Sequence, residues 1–332
     1  MNMDAAVNIT GHTAQVRYLI DDESKVGEAR RAAQAMANLD FDTQTAGRAS
    51  IVATELAHNL LNHAGGGELL MQTFRYDGMA TFELLAIDRG PGMADVTRCM
   101  SDGYSTTGTP GTGLGAVRRL ASEFDLYSEP GDGTVVMARI GASPNTRYGA
   151  VCVTMPGEVE CGDAWQVASN GHEIALIVAD GLGHGSFAAQ AARAAVDAFT
   201  QSPFLPPHET LTLAGTAMAS TRGGAVACAR LNGAALSYSG MGNISGALVT
   251  REKSQGLLSH SGTLGMAGRR PQQFEYVRPP GSLVVMHSDG ISARWNLAER
   301  PALFSHHPAI AAAVLYRDHG RQRDDATIVV LA

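Results

Sequence analysis

Four aspartates in the second half of this 332-residue chain, Asp163, Asp180, Asp289 and Asp324, stand at the ends of strand-like segments beside glycine or a second aspartate. The segments read ECGDAW, IALIVADGLGHG, SLVVMHSDGI and RDDATIVVL, and in three of them a hydrophobic run joins a carboxylate directly. Carboxylates at the edge of an apolar sheet repel one another and resist desolvation, whereas hard divalent ions favour such oxygen ligands. The four together suggest a two-metal hydrolytic centre. Neither cysteine nor histidine is arranged for zinc.

The first half carries a different set. In VATELAHNLLNHAGGG, Glu55, Asn59 and His63 recur at four-residue spacing and share one helix face beside an apolar stripe of Val52, Leu56 and Leu60. Downstream, a strand ends in Asp88-Arg89-Gly90-Pro91-Gly92. A carboxylate there can accept a hydrogen bond from an exocyclic amine such as adenine's, and Gly90 and Gly92 let the backbone approach a flat ring. A tight turn after a strand uses the same residues. Gly111-Thr112-Gly113-Leu114-Gly115 then precedes a helix, where backbone N–H groups can hold phosphates or where glycines simply aid packing.

The elements that must position these residues follow from pattern and punctuation. GASPNTRY, with Pro144 and Asn145, interrupts two strand-like segments and divides the chain near residues 141 to 148. The first half reads as a strand at 14–20, helices at 22–37 and 43–63, strands at 69–75 and 80–87, a glycine- and threonine-rich loop, a helix at 113–123 and a closing strand. The second half is strand-rich, with helices at 187–200 and 309–319. Layered α/β sandwiches suit both halves.

Composition excludes several classes. With 45% hydrophobic and 17% charged residues the chain is globular, and its length calls for two cores. A formal charge of −7 and a pI near 5.9 attract neither nucleic acid nor an anionic membrane surface. The four cysteines lack C-x-x-C spacing, and no basic segment followed by an apolar stretch opens the chain. A reduced, cytoplasmic protein without disulfides, signal peptide or membrane span is expected.

The ordered motifs E-L-x-x-N-x-x-x-H, D-x-G-x-G and G-T-G-L-G resemble those of the GHKL ATPase superfamily, and more narrowly those of the anti-sigma-factor and switch serine kinases of bacterial stress and sporulation pathways. The resemblance covers residues 10 to 140 and implies a Bergerat-type α/β sandwich over 1–142. It further implies that Asn59 coordinates Mg²⁺ on the ATP phosphates and that Glu55 is general base toward the attacking hydroxyl. Asp88, with Gly90 and Gly92, would bind adenine, and Gly111, Gly113 and Gly115 would close over the phosphates; Asn62 and His63 match less diagnostic positions. Phosphoryl transfer needs charge neutralisation and an aligned nucleophile more than covalent help.

The second-half order G-D, A-D-G-L-G-H-G, S-D-G and D-D-x-T, with SGMGNISGALV between, resembles the metal-dependent 2C-type protein phosphatases, specifically their compact SpoIIE-like branch. Over 148–332 this implies an α/β/β/α sandwich and two Mn²⁺ or Mg²⁺ ions. Asp180 would bridge them, the Gly181 carbonyl would bind one directly or through water, and Asp163, Asp289 and Asp324 would complete the shells. Asp325 competes with Asp324, although the family pattern favours the first. His184 suits a turn-stabilising role better than proton donation, and Glu160 suits the surface. No arginine stands near the first aspartate, where eukaryotic relatives bind the substrate phosphate, so phosphate recognition is expected to fall to the metals.

A kinase-like half joined to a phosphatase half implies a bifunctional partner-switching regulator. Its expected partner is a STAS-domain, anti-anti-sigma-like phosphoprotein, with a sigma factor or other switch protein as a further possibility, and with no nucleic acid or membrane. Two other readings stay open: a phosphatase whose ATP-binding half only regulates or traps a sigma factor, and a metal-dependent nucleotide phosphohydrolase.

Overall fold

The computed structural model describes residues 8–11, 14–96, 113–143 and 146–332. They separate into one unit of Gln15–Thr146 and another of Arg147–Ala332 together with the N-terminal strand β1 (Asn8–Gly11).

The first unit orders its elements as β2 (Val16–Ile20), α1 (Glu23–Ala37), α2 (Thr43–Ala64), β3 (Gly67–Tyr76), β4 (Met79–Ile87), α3 (Gly113–Leu120), β5 (Glu123–Ser128) and β6 (Thr134–Gly141). Its antiparallel sheet runs β2-β3-β4-β6-β5. Both long helices begin where an aspartate satisfies the first free N–H groups. Asp22 accepts from the Ser24 and Lys25 amides at 2.7 and 3.2 Å, and Asp42 accepts from the Thr45 amide at 2.7 Å. Ala29, Ala33 and Ala37 of α1 and Ala46, Ala49, Ala53 and Ala57 of α2 are fully buried. Small residues at helical spacing on both partners let the two helices pack closely together, over a floor of Leu69, Met71, Phe82 and Leu84 from the sheet.

One boundary differs from the periodicity. The helix expected to reach Glu123 ends at Leu120, because the Ser122 amide turns away to the Arg139 carbonyl at 2.8 Å and Glu123 opens the edge strand β5. Tertiary pairing outweighs local helix propensity here.

The second unit comprises β7 (Tyr148–Val153), β8 (Asp163–Ser169), β9 (Glu173–Gly181), α4 (Ser186–Gln201), α5 (Pro207–Ala217), β10 (Gly224–Asn232), β11 (Ala235–Met241), β12 (Ser245–Val249), β13 (Ser254–Leu257), β14 (Phe274–Val277), β15 (Leu283–His287), α6 (Pro308–His319) and β16 (Ala326–Leu331). One sheet runs β1-β8-β9-β10-β11-β14 and the other β13-β12-β15-β16-β7. Helices α4 and α5 cover the first sheet, α6 lies on β7 and β16, and β16 meets β8 between the sheets. The result is an α/β/β/α sandwich. Strand β1, part of the stretch expected to open the first domain, pairs antiparallel with β8, from Asn8 opposite Ser169 to Gly11 opposite Gln166.

Helix α5 is not announced by the sequence pattern. Pro206-Pro207 and three threonines mask it, and burial of Leu211 and Ala214 in the α4 core stabilises it. Among the described residues, no helix is long and apolar enough to cross a membrane.

Candidate active sites

Strand pairing assembles the acidic centre of the second unit. Asp163, first residue of β8, lies directly opposite Asp180 near the end of β9. Asp289 follows β15, and Asp324 and Asp325 precede β16, which pairs with β15. The sandwich thus brings to one place acids more than 160 positions apart in the chain.

Their surroundings sort them into two layers. Asp163 and Asp325 are buried at 4% and 3% exposure, whereas Asp180, Asp289 and Asp324 are half-buried. Asp325 is held by backbone: its two oxygens accept from the Met155 and Gly162 amides, each at 2.7 Å. That commits Asp325 to fixing the loops around Asp163 and leaves Asp324 facing Asp289. Ser288 donates to Asp163 Oδ2 at 2.6 Å while its Oγ accepts from the Thr327 amide at 3.1 Å, and Asn243 donates to Asp289 Oδ2 at 2.7 Å.

Burial and mutual repulsion set the electrostatics of these acids. Burial, reinforced by Asp325 and Asp324, pushes Asp163 up to about 7 from an ordinary 3.8. Burial together with Asp163, Asp289, Asp324 and Asp325 pushes Asp180 up to about 9, and Asp324 is raised for the same kinds of reason. Among the described residues, no three His, Cys, Asp or Glu side chains are gathered as a finished metal cage. The donor chemistry nonetheless fits hard divalent ions: clustered carboxylates, desolvated and mutually repelling, are relieved most directly by bound cations. Gly181 must lack a side chain, because a Cβ there would run into the Ala188 carbonyl of α4.

His184 and Glu160 lie outside this cluster. His184 is exposed and pairs through Nδ1 with Glu158 at 2.6 Å, bracing the glycine turn, and Glu160 pairs with Arg193.

In the first unit, α2 presents Glu55 and Asn59 half-buried, while His63 and Asn62 are exposed. Gly113 at the start of α3 closes on them: a Cβ there would stand 3.1 Å from Asn59 Oδ1 and 3.7 Å from Glu55 Oε2. Asn59 Nδ2 is buried with no hydrogen-bond partner among the described residues, a costly state that an anionic ligand would relieve. Asp88 Oδ1 accepts from the Gly90 and Thr134 amides at 2.8 and 3.0 Å. Gly92 adopts φ +66°, and a Cβ there would meet the Glu129 carbonyl. Gly115 lies within α3; Gly111 lies outside the described residues.

Comparison with known proteins matches the two units separately. The family described as stage II sporulation protein E (SpoIIE) matches residues 170–332, and the histidine kinase-like ATPase domain family matches residues 20–140. The serine/threonine-protein kinase RsbT of Bacillus subtilis (strain 168) is 38% identical over 100 residues, which is 30% of this chain and 75% of RsbT. The chain joins an RsbT-like ATPase domain to a SpoIIE-type phosphatase domain. A solved structure of the bacterial stressosome, described as a modular system adapted to control secondary messenger signaling, aligns with 56% of this chain and 98% of its own at 25% identity and a TM-score of 0.53. RsbX in complex with magnesium aligns with 55% of this chain and 94% of its own at 22% identity and a TM-score of 0.48.

The chain is therefore an enzyme of the partner-switching type, with a serine/threonine phosphatase domain and a domain related to serine/threonine kinases. Within the SpoIIE domain, motif reading located the acids and passed over what holds them. Ser288 and Asn243 lie inside S-D-G and SGMGN, but only the folded chain turns their side chains onto Asp163 and Asp289.

Proposed function

We propose that the SpoIIE domain hydrolyses phosphoserine or phosphothreonine on a STAS-type protein, and that the RsbT-like domain binds Mg-ATP and phosphorylates a protein partner. One observation carries the first half of this reading: four separate segments converge on one spot, where burial and neighbouring carboxylates raise the pKa of Asp163, Asp180 and Asp324.

Asp163, Asp180, Asp289, Asp324 and the Gly181 carbonyl would hold two Mn²⁺ or Mg²⁺ ions. Such ions supply positive charge that makes a water reactive toward phosphorus near neutral pH. The chain's part is positioning. Ser288 orients Asp163, Asn243 orients Asp289, and Asp325 ties the Gly162 and Met155 amides beneath them.

In the RsbT-like domain, Asn59 would meet the magnesium and phosphates, Glu55 would accept the proton of the attacking hydroxyl, and Asp88 would receive the adenine amine. The unpartnered Asn59 amide and the approach of Gly113 to both helix residues support this assignment. Similarity to RsbT over 75% of that kinase favours transfer over mere nucleotide binding.

The test uses a candidate STAS protein in both forms, followed by mass. The full chain with Mg-ATP should add phosphate to a partner, and the full chain with Mn²⁺ should remove phosphate from the STAS phosphoprotein. ATP bound without transfer would assign the first domain a regulatory or sigma-trapping role. Faster hydrolysis of free nucleotides than of the phosphoprotein would overturn the phosphatase reading.

A further inference from the structure

The acidic centre explains how cations would be held and leaves open what grips the phosphoryl group. The glycine turn after Asp180 is met by the segment that opens β10. Ala225 registers with Asp180 and Gly224 with Gly181, and the Leu182 amide donates to the Gly223 carbonyl at 2.9 Å. The next residue back, Arg222, therefore lies over the turn itself.

Its guanidinium has an unusual setting. It sits 4.8 Å from the ring centroid of Phe187, in the first turn of α4, and one of its terminal nitrogens lies 3.3 Å from where a Cβ on Gly183 would stand. Phe187 is 60% exposed, so the ring serves this contact rather than the core. Arg222 forms no hydrogen bond or ion pair among the described residues. Other arginines of this unit are committed, Arg193 to Glu160 and Arg230 to Glu173. An exposed guanidinium stacked on an exposed ring keeps its planar fork of donors available, and that fork matches phosphate geometry.

We propose that Arg222, propped by Phe187, binds the phosphoryl group of the substrate at the mouth of the acidic centre, beside the metals expected there. This rests on the phosphatase reading above and adds a protein-borne phosphate contact to it. Phe187 is a positioning residue: the stack limits the arginine's rotamers before substrate arrives. Gly183 leaves the space beside the guanidinium clear.

The experiment compares the full-length chain with Arg222→Ala, Arg222→Lys, Phe187→Ala and Phe187→Trp. Three quantities are read: manganese uptake by calorimetry, equilibrium binding of inorganic phosphate, and KM and kcat on a phosphoserine peptide. Arg222→Ala should weaken phosphate binding and raise KM by roughly 10- to 100-fold, the range for losing a charge-assisted hydrogen-bond pair, with manganese uptake unchanged. Arg222→Lys should fall between the two, having charge without the fork. Phe187→Ala should raise KM about threefold with kcat little changed, and Phe187→Trp should restore it. Unchanged phosphate binding in Arg222→Ala overturns the proposal, as does a wild-type chain that binds no phosphate. A chain that binds phosphate through Arg222 but hydrolyses no phosphopeptide overturns the phosphatase reading and leaves this contact standing.

Discussion

The two domains bury charge in opposite ways. In the RsbT-like domain Arg139 is 1% exposed, and its guanidinium donates to Glu83 at 2.8 Å, to Glu123 at 2.9 Å and to Thr146 at 2.8 Å. Burial works against its charge, but the two glutamates outweigh that and hold its pKa above the ordinary value. Gln72 satisfies the remaining Glu83 oxygen at 2.7 Å, and the Phe74 ring lies 5.3 Å from the guanidinium. In the SpoIIE domain, buried and half-buried aspartates face one another with their pKa values raised. A closed ion network answers its own charge, so its purpose is complete in the folded chain. Clustered carboxylates that repel one another suit bound cations instead.

The comparison breaks first at Asp180. Asp180→Asn should lower phosphopeptide turnover by about 10³-fold, the scale of several kcal/mol of lost transition-state stabilisation, and leave ATP affinity unchanged. Equal turnover by the variant would mean that the acids are structural. Arg139→Ala strands Glu83 in a buried site and should cost about 3–5 kcal/mol in denaturant unfolding, whereas Arg139→Met with Glu83→Gln should recover much of it.

The same contrast predicts a pH response. An aspartate whose folded pKa exceeds its unfolded 3.8 favours folding only while protonated. Its contribution is complete below pH 3.8 and is lost as pH rises through about 7 for Asp163 and about 9 for Asp180. The melting temperature of the metal-free chain should therefore fall between pH 5 and 9, and Mn²⁺ should flatten that slope by binding the ionised form. A rising curve would contradict the cluster's electrostatics.

Two smaller effects sharpen the picture. Asn59→Asp should abolish measurable ATP binding in calorimetry while phosphopeptide turnover persists, because a carboxylate beside the phosphates adds repulsion where an amide donated. Ser288→Ala removes one hydrogen bond from Asp163 and one from the Thr327 amide, so about 1–3 kcal/mol of stability and roughly tenfold in turnover are expected to go.

Helices α1, α2, α4 and α6 and the strands that lead into the motifs were legible from periodicity and apolar runs, whereas β10 to β14 were covered only by the expectation of a strand-rich half. Strand β5 and helix α5 were not, because each is selected by a partner: β5 by pairing with β6, and α5 by packing against α4. Placement of Asn8–Gly11 on the edge of β8 was hidden for the same reason, as no local signal says which sheet a short strand will join.

Residue type and order, read along the chain, determined that carboxylates end apolar strands, that a polar stripe runs along α2 and that two families of motif follow each other. Those are local properties, written in spacing and composition. Only the tertiary structure decided that Asp325 is spent on backbone amides while Asp324 faces Asp289, that Ser288 and Asn243 hold the acids, and that Arg222 rests on Phe187 over the glycine turn. The physical reason is distance. Each of these relations joins residues remote in sequence, and the direction of a side chain is set by the packed surroundings rather than by its neighbours along the chain.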